Sequence, residues 1–197
     1  MVMALGGLGD YQYVQMNLSE AKQVYQQMIT LIRQQWEEEK NADAQQDLSL
    51  GYDKLGIISQ DQGDLAKAKE YYLQALELNR QLYEKNVDVQ IENNLISSCE
   101  RLGGIERAKE NFAGAREYYL QCLELSRKLW EKTGTVSARN NLAGSCFNVG
   151  TVSEPETKKS MFTQALGIWS ELCERCPDVP AYVRWRDMAR EALDELD

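Results

Sequence analysis

Tyr71, Tyr72, Ala75, Leu76, Leu78, Leu82 and Tyr83 recur at steps of three and four, with charged and amide side chains between them. At about 3.6 residues per turn, that spacing gathers the apolar set on one broad stripe of a helix. Gly63-Asp64 predicts where the helix starts, because the glycine breaks what precedes it and the Asp carboxylate accepts the orphan amides of a first turn. The same pattern predicts helices over 16–39, 41–60, 64–85, 88–108, 111–132, 136–151 and 156–175, and a last one over Tyr182–Leu196. In that last helix Trp185, Met188, Ala189, Ala192, Leu193 and Leu196 are expected to face inward, with Arg184, Arg186, Arg190 and Glu191 outside.

The helices come in copies. Tyr71 to Lys85 recurs as Tyr118 to Lys132, identical at 11 of 15 positions and 47 residues later. The same step connects Leu8-Gly9, Leu55-Gly56, Leu102-Gly103 and Val149-Gly150. Tyr25, Tyr72 and Tyr119 follow it too, and Phe162 arrives four residues early, which implies a short deletion after Gly150. Trp36, Tyr83 and Trp130 close each long second helix. A period in this range marks stacked units that bury a core only against their neighbours. Glycine inside a helix costs about 1 kcal/mol relative to Ala. Its return at one phase therefore predicts a close helix approach, with Ala21, Ala68 and Ala115 as the small residues facing it; the alternative is that these glycines end helices.

Spaced Leu-Gly, Ala, Tyr and Ala residues resemble the signature of the tetratricopeptide repeat. The second unit carries it as Tyr52, Leu55-Gly56, Ala68, Tyr72 and Ala75, and the third as Cys99, Leu102-Gly103, Ala115, Tyr119 and Cys122. The fourth keeps Cys146, Val149-Gly150, Phe162 and Ala165, and the first Leu5, Leu8-Gly9, Ala21, Tyr25 and Met28. The family's second aromatic is replaced by Gln12, Ser59, Glu106 and Ser153, and its closing proline is missing, so the helices can run on. Such long-helix variants are similar to the repeats of kinesin light chains and of bacterial peptide-sensing regulators. The implied fold is all-α, a right-handed α-solenoid of about four antiparallel helix pairs: 1–40 with a short first helix, 41–85, 86–132, 133–176, and a capping helix in 177–197.

Charge and composition narrow the function. The net charge is −9 with no histidine, which disfavours nucleic acid and removes the commonest general base and metal ligand together. No apolar stretch approaches a membrane span and the opening residues lack an export signal, so no membrane is expected and the cytoplasm is the expected location. Five cysteines predict reduced thiols. Cys99, Cys122 and Cys146 fall at core phases, while Cys173-Glu-Arg-Cys176 has metal or redox spacing but sits at a helix C-terminus and lacks two further ligands. No cofactor, metal or enzymatic activity is expected. Glu37-Glu38-Glu39 reads as a solvated helix end.

In the resembled family the first helices line a concave groove. There this chain places Asn94 and Asn141 at one phase, and Lys54, Arg101 and Asn148 at another, with Phe147 beside them. An Asn amide carries donors and an acceptor together and so can hold an extended backbone. The reading is a non-enzymatic scaffold that binds a protein or peptide through these residues. The alternative is a structural or self-associating segment of a larger protein, pairing through its N-terminal repeat.

Overall fold

The computed structural model describes residues 2–39, 42–85 and 88–196, and every regular element among them is a helix. In chain order these are α1 (Val2–Val14), α2 (Leu18–Glu39), α3 (Ala42–Asp61), α4 (Leu65–Lys85), α5 (Val89–Ala108), α6 (Phe112–Thr133), α7 (Val136–Thr151), α8 (Pro155–Arg175) and α9 (Pro180–Asp194). The expected start of the third helix at residue 41 lies outside the described residues. The chain divides into two compact units, Met1–Ser98 and Cys99–Asp197.

Local chemistry sets the helix ends. Asp64 caps α4 by accepting from the Lys67 amide at 2.9 Å, after Gly63 takes the left-handed conformation at φ 79°. Asn111 caps α6 through the Gly114 amide, and Gly134, at φ 60°, ends it by donating to the Trp130 carbonyl at 2.8 Å. Pro155 and Pro180 open α8 and α9, where a missing amide hydrogen costs nothing. No proline interrupts α2 or α6, and both reach 22 residues, about 33 Å of helix. The first helix is the shortest, at 13 residues.

In the first unit α1 packs on α2, α2 on α3, and α3 on α4, around Tyr25, Ile32, Leu48, Tyr52, Leu55 and Ile58. In the second unit α6 packs on α7, α7 on α8, and α8 on α9, around Tyr119, Leu123, Cys146, Val149, Trp169 and Leu172. The cysteines at core phases, Cys99, Cys122 and Cys146, are each 1% exposed.

The recurrent glycines are mid-helix contact points, but what they meet differs from the expectation. A Cβ built on Gly56 would lie 2.3 Å from Cε1 of Tyr72; on Gly103, 2.4 Å from Cε1 of Tyr119; on Gly150, 2.5 Å from Cε1 of Phe162. Gly9 meets the Tyr25 ring at 2.7 Å in the same way. Each glycine is thus the socket for its repeat's own aromatic, which is why the two series share one period. Ala21, Ala68 and Ala115 are fully buried, but the atoms nearest to each glycine belong to the aromatic ring.

Two further departures concern α9 and the core. Ala189 of α9 is fully buried, whereas Met188 and Leu196 are more than a third exposed, and Arg186 is half-buried beside Asp187 at 2.8 Å. The core also contains polar seams between packed helices, both within a repeat and where one repeat's second helix meets the next first helix. In the first unit Ser49 donates to Asn79 Oδ1 at 2.8 Å, and Asn79 donates to Ser98 Oγ at 3.4 Å. In the second, Ser145 Oγ lies 2.9 Å from Ser126 Oγ and 3.1 Å from Cys122 Sγ. These groups satisfy one another, which avoids the roughly 1–3 kcal/mol cost of a buried unpaired polar atom.

Candidate functional site

The first helices α1 and α3 lie side by side in the first unit, joined by Tyr13 Oη donating to Asp61 at 2.7 Å and by the Lys54–Asp10 ion pair at 2.6 Å. Tyr25 donates to the same Asp10 oxygen at 2.6 Å. The Lys54 and Tyr25 hydrogen bonds hold the Asp10 carboxyl below the usual range, while burial, then the hydrogen bond to Asp10, pushes the Tyr25 hydroxyl up. Lys54 is therefore already engaged by an acid of its own chain. Asp47, at the edge of the same face, has its carboxyl raised by burial and by neighbouring Asp43.

Asn94 lies on the part of α5 in this unit, half-buried, its Oδ1 accepting from Gln90 at 3.0 Å. Asn93 before it turns back to donate to the Val89 carbonyl at 2.8 Å. The α7 pair divides its roles in a comparable way. Asn140 faces the interior and accepts from the Trp169 indole at 3.0 Å, and Asn141 stands half-buried one residue on.

In the second unit, Arg101 on α5 and Asn141, Phe147 and Asn148 on α7 are all half-buried. Asn148 reaches across to Glu100, donating to Oε1 at 2.9 Å, so α5 and α7 also run as neighbours. Between them the surface is low. A Cβ on Gly144 would meet nothing within 4 Å, and one on Gly104 only the Tyr119 hydroxyl at 3.9 Å. Phe147 turns inward, with its ring 5.0 Å from Phe162 and 5.9 Å from Trp169, which continues to Trp185 at 6.1 Å.

Cys173 and Cys176 are half-buried at the C-terminus of α8, and no cluster of three or more His, Cys, Asp or Glu is placed to hold a metal among the described residues. No helix of the described residues is long and apolar enough to cross a membrane. A cavity lined by Trp36, Tyr52 and Leu73 in the first unit was not foreseen from sequence; its only signal was the acidic run ending α2.

Consecutive helix hairpins, each keyed by a glycine–aromatic socket, define a helical-repeat protein of the α-solenoid class. Two matches described as tetratricopeptide repeat, over residues 49–82 and 95–129, show that the chain carries tetratricopeptide repeats there. No curated protein matches the chain significantly by sequence. Among solved structures it is similar to the apo form of RapI, with TM-score 0.67 and 12% identity over 98% of this chain and 70% of that one. It is also similar to the yeast histone chaperone Hif1, with TM-score 0.62 and 13% identity over 99% and 94%. A third is a single-residue variant of a putative kinesin light chain from Podosopora anserina with nearly identical TPR-like repeats, at TM-score 0.62 and 14% identity over 99% and 92%. At these identities the likeness is one of fold. Tetratricopeptide repeats generally serve as scaffolds for protein–protein interaction, and the repeats of this chain are of that general kind.

Proposed function

We propose that the chain binds an extended segment of a partner protein along its first helices, as a non-enzymatic scaffold working in the cytoplasm. The observation that carries this reading is the trough in the second unit: bare backbone at Gly104 and Gly144, flanked by Asn141, Asn148 and Arg101. Bare backbone lets another chain approach closely, and half-buried amides beside it supply donors and acceptors that suit a peptide backbone of any sequence. Arg101 takes an acidic group there, with Phe147 contributing the ring edge at the trough wall. In the first unit Asn94 plays the same backbone-holding part, and Lys54 exchanges Asp10 for a carboxylate of the ligand. Yeast Hif1, a histone chaperone and scaffold protein recruiting protein complexes to core histones, shows one use to which this fold is put elsewhere.

The test is titration of a captured partner against wild type and the Asn94→Ala/Asn141→Ala double variant. Loss of hydrogen bonds at a buried interface costs on the order of 1–3 kcal/mol, so the variant should bind at least about tenfold more weakly with unchanged helicity. Arg101→Glu should weaken an acidic ligand further, in a salt-dependent way. Equal binding by wild type and the double variant would remove the first-helix face as the site.

A further inference from the structure

Apolar residues emerge on every side of α1. Val2, Leu5 and Tyr13 pack into the first unit, and Gly9 seats the Tyr25 ring. Met3, Leu8, Tyr11 and Val14 come out on the opposite side and are exposed. At about 3.6 residues per turn these four share one face with Ala4 and Gly7. The one charged residue of the helix, Asp10, is engaged by Lys54 and Tyr25. A helix of a globular protein that is apolar all round is ordinarily covered all round.

The register shows that part of this face is an interface elsewhere in the chain. One period on, Ala4, Leu8 and Tyr11 become Gly51, Leu55 and Ile58 of α3, on which α2 packs, with a Cβ on Gly51 reaching within 2.8 Å of Ile29. Leu55 and Ile58 are 2% and 1% exposed there, against 45% for Leu8 and 61% for Tyr11. Three periods on, the same positions are Ser145, Val149 and Val152 of α7, on which α6 packs through the Ser126–Ser145 contact. The last helix is built differently: α9 intersperses Arg184, Arg190 and Glu191 with Val183 and Met188 on its exposed positions, as a solvated surface requires.

We propose that a second copy of the chain covers this face, with α1 lying antiparallel on the α1 of the other copy about a twofold axis. The face is self-complementary under that symmetry. With the axis between residues 7 and 8, Tyr11 of each copy falls opposite Ala4 of the other and Leu8 opposite Gly7, so each large side chain meets a small one and the backbones can come close. A net charge of −9 makes two copies repel, and an uncharged face is where they can meet without opposing carboxylates. A contact confined to a helix of 13 residues, about 20 Å long, falls at or below the roughly 1,200 Å² at the small end of stable interfaces, so the dimer is weak and concentration-dependent. It uses none of the trough residues and does not rest on the peptide-binding reading.

The test is sedimentation velocity of the whole chain over about 5 to 500 µM, a range suited to a small interface. The average mass of wild type should rise with concentration from the 22.5 kDa of one chain towards twice that value. Leu8→Glu/Tyr11→Glu sets carboxylates against their own copies across the axis and should weaken association at least about tenfold, with unchanged helicity by circular dichroism. Gly7→Glu should do the same from a position where a Cβ meets nothing within 4 Å in the single chain, so folding is not at stake. Val183→Glu/Met188→Glu adds as much charge to the exposed side of α9 and should leave association within about twofold, as should Asn94→Ala/Asn141→Ala. Raising salt from about 50 to 500 mM should maintain or strengthen the wild-type dimer, because screening relieves repulsion and the contact holds no ion pair. A wild type that stays monomeric, equal association of wild type and the α1 variants, equal loss in the α9 variant, or dissociation by salt would each overturn the assignment. Flotation with phosphatidylcholine vesicles supplies the last arm: a chain that stays monomeric and binds vesicles through Leu8 and Tyr11 would give the face to a lipid surface instead.

Discussion

Gly103→Ala tests the glycine–aromatic socket with a single added carbon. That carbon would lie 2.4 Å, 2.5 Å and 3.0 Å from Cε1, Cδ1 and Cζ of Tyr119. Non-bonded carbons settle at about 3.5–4.0 Å, so the ring would have to retreat by about 1 Å. Tyr119 is 2% exposed and packed among Leu123, Cys146 and Val149, which leaves it nowhere to go without moving α6 from α5. Overpacking of this kind costs about 1–3 kcal/mol, while the better helix propensity of Ala returns about 1 kcal/mol. The expected net change is a loss of about 1 kcal/mol, reaching about 2 at most.

Gly167→Ala is the matched control. Gly167 is exposed in the interior of α8, and a Cβ there meets nothing within 4 Å, so only the propensity gain of about 1 kcal/mol applies. The two variants should therefore move the urea midpoint in opposite directions, and their difference isolates the overpacking. For a chain of this length each kcal/mol moves Tm by roughly 2–4 °C. Repeating Gly103→Ala in a Tyr119→Leu background, where the ring edge is gone, should reduce the cost by at least about 0.5 kcal/mol. If Gly103→Ala stabilises as Gly167→Ala does, or costs the same without the ring, the socket explanation of the 47-residue register is wrong.

The thiols should divide into two classes. Burial pushes the Cys122 thiol up to about 12 and the Cys146 thiol to about 11, and Cys99 is equally buried, so these three should resist an aromatic disulfide reagent until the chain unfolds, while Cys173 and Cys176 react in the native state; rapid native reaction of all five would refute the packing. Asp10 should make stability acid-sensitive. Its carboxyl is depressed in the folded chain, so its contribution is complete above the ordinary value of 3.8 and is lost as pH falls through the lower folded value. The urea midpoint of wild type should therefore exceed that of Asp10→Asn at about pH 7, and the gap should close towards about pH 3.

The repeat was legible because the three later copies place an aliphatic residue in the same environment, Leu55, Leu102 and Val149 each being 0–2% exposed at one phase, whereas Leu8 at that phase in the first copy is 45% exposed. Helix ends were legible where a cap residue announces them, as Asp64 does for α4. Pairings between side chains from different helices were not. Nothing in the sequence distinguishes Asn140, which serves the Trp169 indole, from Asn141 beside it, because the distinction depends on a ring 29 residues away. Phe147 is similar: its phase marks it as groove-facing, but the deletion before Phe162 and the arrival of Trp169 give its ring apolar neighbours inside the second unit.

Function in a repeat protein is therefore best sought where one copy breaks the pattern that the others keep, since what all copies share is explained by packing. The tyrosine sockets recur and carry the core. The Arg139–Glu171 pair changes identity from copy to copy: one period earlier its register positions hold Glu92 and Lys128, and two periods earlier Gln45 and Gln81. A charge present in one copy and replaced in another by an amide is a change that packing alone does not require, because both pairs are satisfied where they stand. The pair is neutral overall in each copy, so the exchange alters which groups join the two helices and leaves the net charge at that register unchanged.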